Sequence, residues 1–307
     1  MEEEFEALDK MIGALLTTVP AKELVSPLAR ARADRRPFDP DRLELFQILF
    51  AALKGAELHT REETDFSPES SRNMAFFDAY FSNYIEGTIF ELEEARAIVW
   101  DGEIPRERPA DAHDILGTYR MVVDTREMSR VPESEESLVA LLRSRHSTIL
   151  ERRLDTKPGT FKEKSNRAGQ THFVAPELVR GTLGKGYELH RALEHPLAKA
   201  MFIMFIVAEV HPFIDGNGRI ARIMMNAELI SDGLRRILIP TVYREDYLLA
   251  LRALSRNRTT EPYIKMLDRA QRFSARVDFS SYDLAHDILT RANAFHEPAD
   301  ARFLDNL

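Results

Sequence analysis

His211-Pro212-Phe213-Ile214-Asp215-Gly216-Asn217-Gly218-Arg219-Ile220-Ala221-Arg222 joins two helical stretches and decides how the chain folds around it. Upstream, Ala198 to Val210 (AKAMFIMFIVAEV) is an apolar run that predicts a buried helix, broken at Pro212. It is too short to span a membrane, and it carries charges near its ends at Lys199 and Glu209. Downstream, Arg219 to Ser231 places Ile220, Ile223, Met224 and Leu229 at helical spacing, with Gly233 as the stop. The glycine turn at 216–218 therefore opens a helix. Unpaired amides at a helix start, with the dipole behind them, bind anions, and glycines let phosphate oxygens approach closely. Arg219 and Arg222 leave one helix face at i, i+3, and guanidinium groups bind phosphate through paired hydrogen bonds. Asp215 suits a hard cation such as Mg²⁺ that bridges phosphates. His211, with an ordinary pKa of about 6.5, suits a base that takes a proton from a hydroxyl. Phosphoryl or nucleotidyl transfer needs little else, because positioning and charge neutralisation dominate it.

The pattern H-x-F-x-D-G-N-G-R-x-x-R has a chance probability in this length on the order of one in 10⁸ at average residue frequencies. It resembles the signature of Fic-domain proteins, most of which transfer AMP from ATP to a protein hydroxyl. The resemblance implies a mostly helical, all-α Fic fold with a short β-hairpin flap. It implies His211 as the general base and Asp215 as the Mg²⁺ ligand. Gly216, Asn217 and Gly218 would then cradle the α-phosphate, with Arg219 and Arg222 on the β- and γ-phosphates.

Ser82-Asn83-Tyr84-Ile85-Glu86-Gly87 is similar to the inhibitory motif [S/T]-x-x-x-E-[G/N] of the same family. Met74 to Glu86 (MAFFDAYFSNYIE) reads as an aromatic-rich helix capped by Gly87, and Ser82 and Glu86 share one face at i, i+4. The resemblance implies that Glu86 pairs with Arg222 and displaces it from the γ-phosphate. It places the chain in the class with an N-terminal inhibitory helix, here about 72–87. Thr88 stands where many relatives carry Asn.

Gly159-Thr160-Phe161-Lys162 and Thr171-His172-Phe173-Val174 bracket a polar turn and predict a hairpin. In Fic proteins such a flap holds the target by main-chain pairing, which implies docking at Lys162, Thr171, His172 and Phe173. Many relatives carry Arg where this chain has Lys162. Tyr247 stands where relatives often place an aromatic near the base; a core tyrosine accounts for it equally well.

Other features carry less. Gly181-Thr182-Leu183-Gly184-Lys185-Gly186 lacks the spacing and the Ser or Thr of a phosphate loop. His190 and His195 flank Glu194 without zinc-site spacing, which leaves surface or helix-cap roles. Arg30, Arg32, Arg35 and Arg36 read as a solvated loop before the Pro37–Pro40 turn, and Asn257-Arg258-Thr259 is a glycosylation sequon only in a secreted chain.

The net charge of −8 argues against bulk nucleic-acid binding, and the absence of cysteine excludes disulfides and thiol chemistry. The acidic start MEEEFEALDK is unlike a targeting signal, and with ATP as the implied substrate the expected location is cytoplasmic, away from membranes. Three regions are expected. Residues 1–110 form an N-terminal helical region with an amphipathic stretch at Leu43–Leu58 and a helix at Ile89–Val99. Residues 111–240 form the core with flap and signature, and 241–307 add helices at Tyr263–Arg276 and Tyr282–Ala294. Trp100 to Gly102 and Pro105 to Pro109 read as a linker-like break between the first two. Many relatives continue into a winged-helix segment for which this chain leaves no room.

The expected activity is protein adenylyl transfer to a Ser, Thr or Tyr hydroxyl, self-restrained by Glu86, with a protein target that includes a second copy in a homodimer. Three alternatives stay open. One is the reverse removal of AMP with Glu86 orienting water, another is transfer from a different nucleotide, and the third is a non-catalytic interaction module.

Overall fold

A computed structural model describes residues 2–16, 26–33 and 36–305. Among these the chain is helical apart from one two-stranded hairpin. It begins with α1 (Glu2–Leu15), which exposes Phe5, Leu8, Met11 and Ile12, and α2 (Pro27–Ala33). Arg30 and Arg32 therefore lie in a helix rather than a loop, and Arg35 falls outside the described residues. Next, α3 (Pro40–Gly55) starts three residues before the expected stretch, because Asp39 caps the amide of Arg42 and Pro40 opens the first turn.

The helix α4 (Pro68–Ile85) is capped by Ser67 and is buried at every residue from Asn73 to Ile85. It is a core element and not a surface lid. Phe76, Phe77 and Phe81 pack among Trp100, Tyr282 and Phe295. Its last turn runs into Glu86, and Gly87 takes the left-handed conformation (φ 89°) that glycine adopts without strain.

After it, α5 (Leu92–Arg96) continues into a single π-helical turn over Ala97–Asp101 that closes at Gly102. Trp100 and Asp101 are thus helical. The indole lies 5.0 Å from the Phe76 ring, with the Arg72 guanidinium 4.6 Å from its centre, and this packing holds the turn against the core. Only the stretch from Gly102 to Arg108 is irregular. Then α6 (Pro109–Val123), α7 (Thr125–Met128) and α8 (Glu135–Ile149) follow, the last with a Ser134/Ser137 capping box.

The hairpin pairs β1 (Arg167–Ala168) with β2 (Thr171–His172), in register Arg167↔His172 and Ala168↔Thr171. In α9 (Val179–Arg191) the glycines permit close packing; a side chain on Gly181 would strike the Pro37 carbonyl. The centre of the molecule is α10 (Pro196–Val210) laid along α11 (Asn217–Ser231). Met201, Phe202, Ile203, Met204, Phe205, Ile206 and Val207 are all shut off from solvent, each worth roughly 1.5–3 kcal/mol of burial. His190 on α9 is buried against Glu228 of α11 at 3.1 Å, not exposed, whereas His195 caps α10 at Leu197.

The chain closes with α12 (Arg244–Asn257), α13 (Glu261–Ser274) and α14 (Tyr282–Arg291). One cluster of buried side chains runs through all three regions, from Leu45 to Phe303. None of the described helices is long and apolar enough to cross a membrane.

Candidate active site

The loop between α10 and α11 is braced from below before it presents any chemistry. The Asn217 side chain accepts from the Phe213 amide at 2.8 Å and donates to the Phe213 carbonyl at 2.9 Å. Its amide group is therefore spent on the loop, and Asn217 offers an anion only its main chain. Beneath lies His146 on α8, fully buried and stacked on Phe213 with ring centres 3.8 Å apart. Its Nδ1 accepts from the Gly159 amide at 2.9 Å, which makes Nε2–H the donor to the Asp215 carbonyl at 3.0 Å. Burial pushes this imidazole down to about 4, so it is neutral. Sequence reasoning missed it. The available signal was a histidine on the apolar stripe Leu138, Leu142, Ile149 of α8.

His211 ends α10 in the left-handed region at φ 52°, where a non-glycine residue carries strain. Its ring stacks on Phe173 at 3.7 Å, nearly parallel. Nδ1 lies 3.3 Å from the Ala208 carbonyl, to which it donates as Nδ1–H, leaving the Nε2 lone pair free. Burial, reinforced by nearby Lys162, lowers His211 to about 4 and keeps it unprotonated at neutral pH. It can accept a proton through Nε2.

At the start of α11 the two arginines part company. Arg222 is buried and lines the cavity. It donates from Nε to Ser82 Oγ (2.9 Å), from one terminal nitrogen to the Ser82 carbonyl (2.8 Å) and Glu86 Oε1 (2.7 Å), and from the other to the Tyr247 hydroxyl (3.3 Å). Burial opposes the charge on Arg222, but Tyr247 and Glu86 outweigh it and hold the guanidinium protonated. The Glu86 carboxylate also rests against Gly218, where any side chain would collide with it. Arg219 is buried, donating to Asp114 of α6 (2.9 Å) and Asn83 of α4 (3.2 Å), with its other terminal nitrogen 3.6 Å from Asp215 Oδ2 of the loop. Asp114 is itself held by Arg153 at 2.8 Å. Of the two arginines expected on the phosphates, Arg222 lines the cavity, whereas Arg219 is paired with the buried Asp114. Asp114 and Asn83 went unnoticed in the sequence.

The flap is shorter than expected. Lys162 is not in a strand: its amide donates to the Pro212 carbonyl (2.8 Å), and its buried ammonium donates to Asn166 Oδ1 (2.7 Å) and the Val210 carbonyl (3.4 Å). It braces the signature loop. Burial, then Arg42, lowers its pKa to about 8. Phe173 serves His211 as its stacking partner. Thr171 Oγ accepts from Arg256 of α12 at 2.8 and 3.0 Å, and the His172 carbonyl accepts from Arg42 of α3 at 2.6 Å. Tyr247, expected near a base, spends its hydroxyl on Arg222.

His211, Gly218, Arg222, Glu86, Thr171 and Phe173 surround one cavity of about 540 Å³, the size of a nucleotide site. A larger groove of about 850 Å³ between α12 and α13 holds none of these groups. Asp215 stands beside the start of α11 with its side chain 49% exposed; Oδ1 accepts from the Gly216 amide at 2.7 Å. Among the described residues no three carboxylates or histidines form a ready metal cage. The half-exposed Asp215 carboxylate, beside the start of α11, is the group present that would fit a hard cation such as Mg²⁺.

A helical domain whose anion loop begins at a base and ends at a helix N-terminus defines a class of protein, and comparison identifies the class. The Fic/DOC family profile matches residues 137–229. A Fido domain-containing protein of Dictyostelium discoideum is 34% identical over 103 residues, covering 32% of this chain and 72% of that protein. The chain belongs to the Fic/DOC family. It is also similar to the protein adenylyltransferase Fic of Nematostella vectensis, 24% identical over 233 residues, covering 73% of this chain and 54% of that one. The chain therefore spans about half the length of that relative. In fold it matches Fic-1 of C. elegans, with a TM-score of 0.58 at 19% identity, covering 94% of this chain and 86% of that one.

Proposed function

We propose that this chain is a protein adenylyltransferase that moves AMP from Mg²⁺-ATP to a Ser, Thr or Tyr hydroxyl of a protein target. The observation that carries the reading is a carboxylate in a phosphate's place: Glu86 lies against Gly218 at the start of α11 and holds Arg222 at 2.7 Å. Anions belong at that position, and among the described residues Glu86 is the carboxylate that ion-pairs with Arg222. The names of the adenylyltransferase relatives support the same reading.

In the proposed reaction the amides opening α11 hold the phosphates, and Arg222 takes the γ-phosphate once Glu86 withdraws. Mg²⁺, held by Asp215, would supply charge neutralisation between phosphates when bound. His211 Nε2 takes the proton from the target hydroxyl, whose oxygen forms a bond to the α-phosphorus while pyrophosphate leaves. The flap at Thr171–His172 lays the target alongside. A cytoplasmic setting, with ATP as donor, and a second copy of the chain among the targets belong to this proposal.

Glu86 restrains the enzyme through a charge pair of about 4 kcal/mol at 4 Å and an effective dielectric of 20, before desolvation is subtracted. A net of roughly 1.4 kcal/mol suffices for a tenfold effect. The test is incubation of wild type, Glu86→Gly and His211→Ala with ATP labelled at the α- or γ-phosphate. Protein label from the α-position alone, about tenfold or more stronger in Glu86→Gly and absent in His211→Ala, is expected. Equal labelling of wild type and Glu86→Gly would end the inhibitory assignment. No label in any variant, with release of AMP from a pre-modified protein, would reverse the direction of the reaction.

A further inference from the structure

We propose that Glu209 and Ser255 read the base of the nucleotide, and that they select an exocyclic amino group over a carbonyl at the same position. The inference rests on the AMP-transfer reading and deepens it.

Gly218 and Arg222 define the phosphate end of the cavity. Beside the flap from Ala168 to Phe173, the wall comes from α10, through Ala208 and Glu209, and from α12, through Leu248, Leu251 and Ser255. Spacing of i, i+3, i+7 puts those three residues of α12 on one face. Two leucines make an apolar surface suited to the flat side of a heterocycle. Specificity in such a pocket comes from the few polar atoms set into it.

Glu209 is one of them, with its side chain 5% exposed. Its Oε1 accepts from Ser255 Oγ at 3.0 Å and faces Arg42 Nε at 2.8 Å. Both of these contacts go to Oε1, and Glu209 itself lines the cavity. Ser255 has committed its proton to Glu209, so its Oγ offers only lone pairs to anything in the cavity. The donors at this end, Arg252 and Arg256, stand on the exposed rim, and Arg256 is engaged by Thr171. The buried polar atoms therefore accept and do not donate. An amino N–H, as on adenine, satisfies them. A ring carbonyl in its place, as on hypoxanthine, sets oxygen against oxygen and leaves the buried acceptor unpaired, which is the kind of mismatch that discriminates most strongly.

The test is calorimetric binding of ATP, ITP and purine riboside 5′-triphosphate, which lacks the 6-substituent, to the Glu86→Gly protein. Inorganic tripolyphosphate reports the phosphate end separately. ATP is expected to bind about 10- to 100-fold more tightly than ITP, with the unsubstituted purine between them. Glu209→Gln, whose amide can turn a donor to the 6-oxygen, should bring the ratio close to one while tripolyphosphate affinity stays unchanged; loss of the charge opposite Arg42 should lower its melting temperature. Ser255→Ala provides a second variant that leaves the Arg42 pair in place, and it should also narrow the ratio. Equal affinity for ATP and ITP, with tripolyphosphate still bound, would overturn this inference alone. A preference for ITP would mean a protonated Glu209 that donates, and would overturn it too. Failure to bind any triphosphate or tripolyphosphate would overturn the AMP-transfer reading and this inference with it.

Discussion

Two imidazoles flank the signature loop, His146 below it and His211 at its head, and they share more than they differ. Each is stacked on a phenylalanine, and burial lowers each to about 4. The difference is in the nitrogens. His146 commits both, to the Gly159 amide and the Asp215 carbonyl, whereas His211 commits only Nδ1 and keeps Nε2 for a visitor. Neither burial nor a displaced pKa separates the two rings; the unspent lone pair of His211 does. Backbone strain points the same way. His146 sits in a regular helix, while His211 is held at a positive φ that only the surrounding structure can enforce.

The sharpest way to break this comparison is to delete each ring. His211→Ala is expected to lower AMP transfer by about 10²–10⁴-fold, the usual worth of a general base. Its melting temperature should fall by only a few degrees, since what is lost is one stack on Phe173 and one hydrogen bond to the Ala208 carbonyl. Transfer at the wild-type rate in His211→Ala would put the base elsewhere and make the two histidines equivalent.

His146→Ala should show the opposite balance. It strands the Gly159 amide and the Asp215 carbonyl in the interior and opens a hole beside Phe213, a loss of about 2–5 kcal/mol measured by denaturant unfolding. Two milder variants separate its halves. Gln keeps a donor near the Nε2 position and should retain the Asp215 contact, and with it most of kcat. Asn keeps an acceptor near Nδ1 and should hold Gly159 while letting the loop drift. If both variants lose kcat equally at equal stability, the bond to Asp215 has no special part in positioning the loop.

The same contrast explains what could be read from the sequence. The signature was legible because its chemistry is contiguous, and α10 and α11 because their apolar residues keep helical period. Long-range capture was not legible. The partner of Arg219, Asp114, lies more than a hundred residues upstream. Lys162 reads as a strand residue by alternation, but its amide goes to the Pro212 carbonyl and the hairpin closes later, at Arg167. Trp100 beside Gly102 looks like a linker until Phe76 and Arg72 are found around it. In each case the partner lies far away in the chain, and local pattern has no access to it.

The smallest expected effect is on acid stability, and it tests the shared property rather than the difference. A histidine lowered from 6.5 to about 4 by folding binds its proton more readily in the unfolded chain. Stability is therefore fully present above pH 6.5 and falls as the pH drops toward 4. Each such group contributes a slope of up to about 1.4 kcal/mol per pH unit through the middle of that window. His211→Ala removes one of the two groups and should flatten the acid slope of unfolding free energy by about that amount, while leaving the His146 share. In the Glu86→Gly protein, transfer should persist below pH 6.5, because Nε2 of His211 stays unprotonated until about pH 4 and unfolding, not titration of the base, sets the acid limit. An activity that halves near pH 6.5 while the fold is intact would mean that His211 is exposed to water in the working enzyme, and the two imidazoles would then differ in burial as well as in their nitrogens.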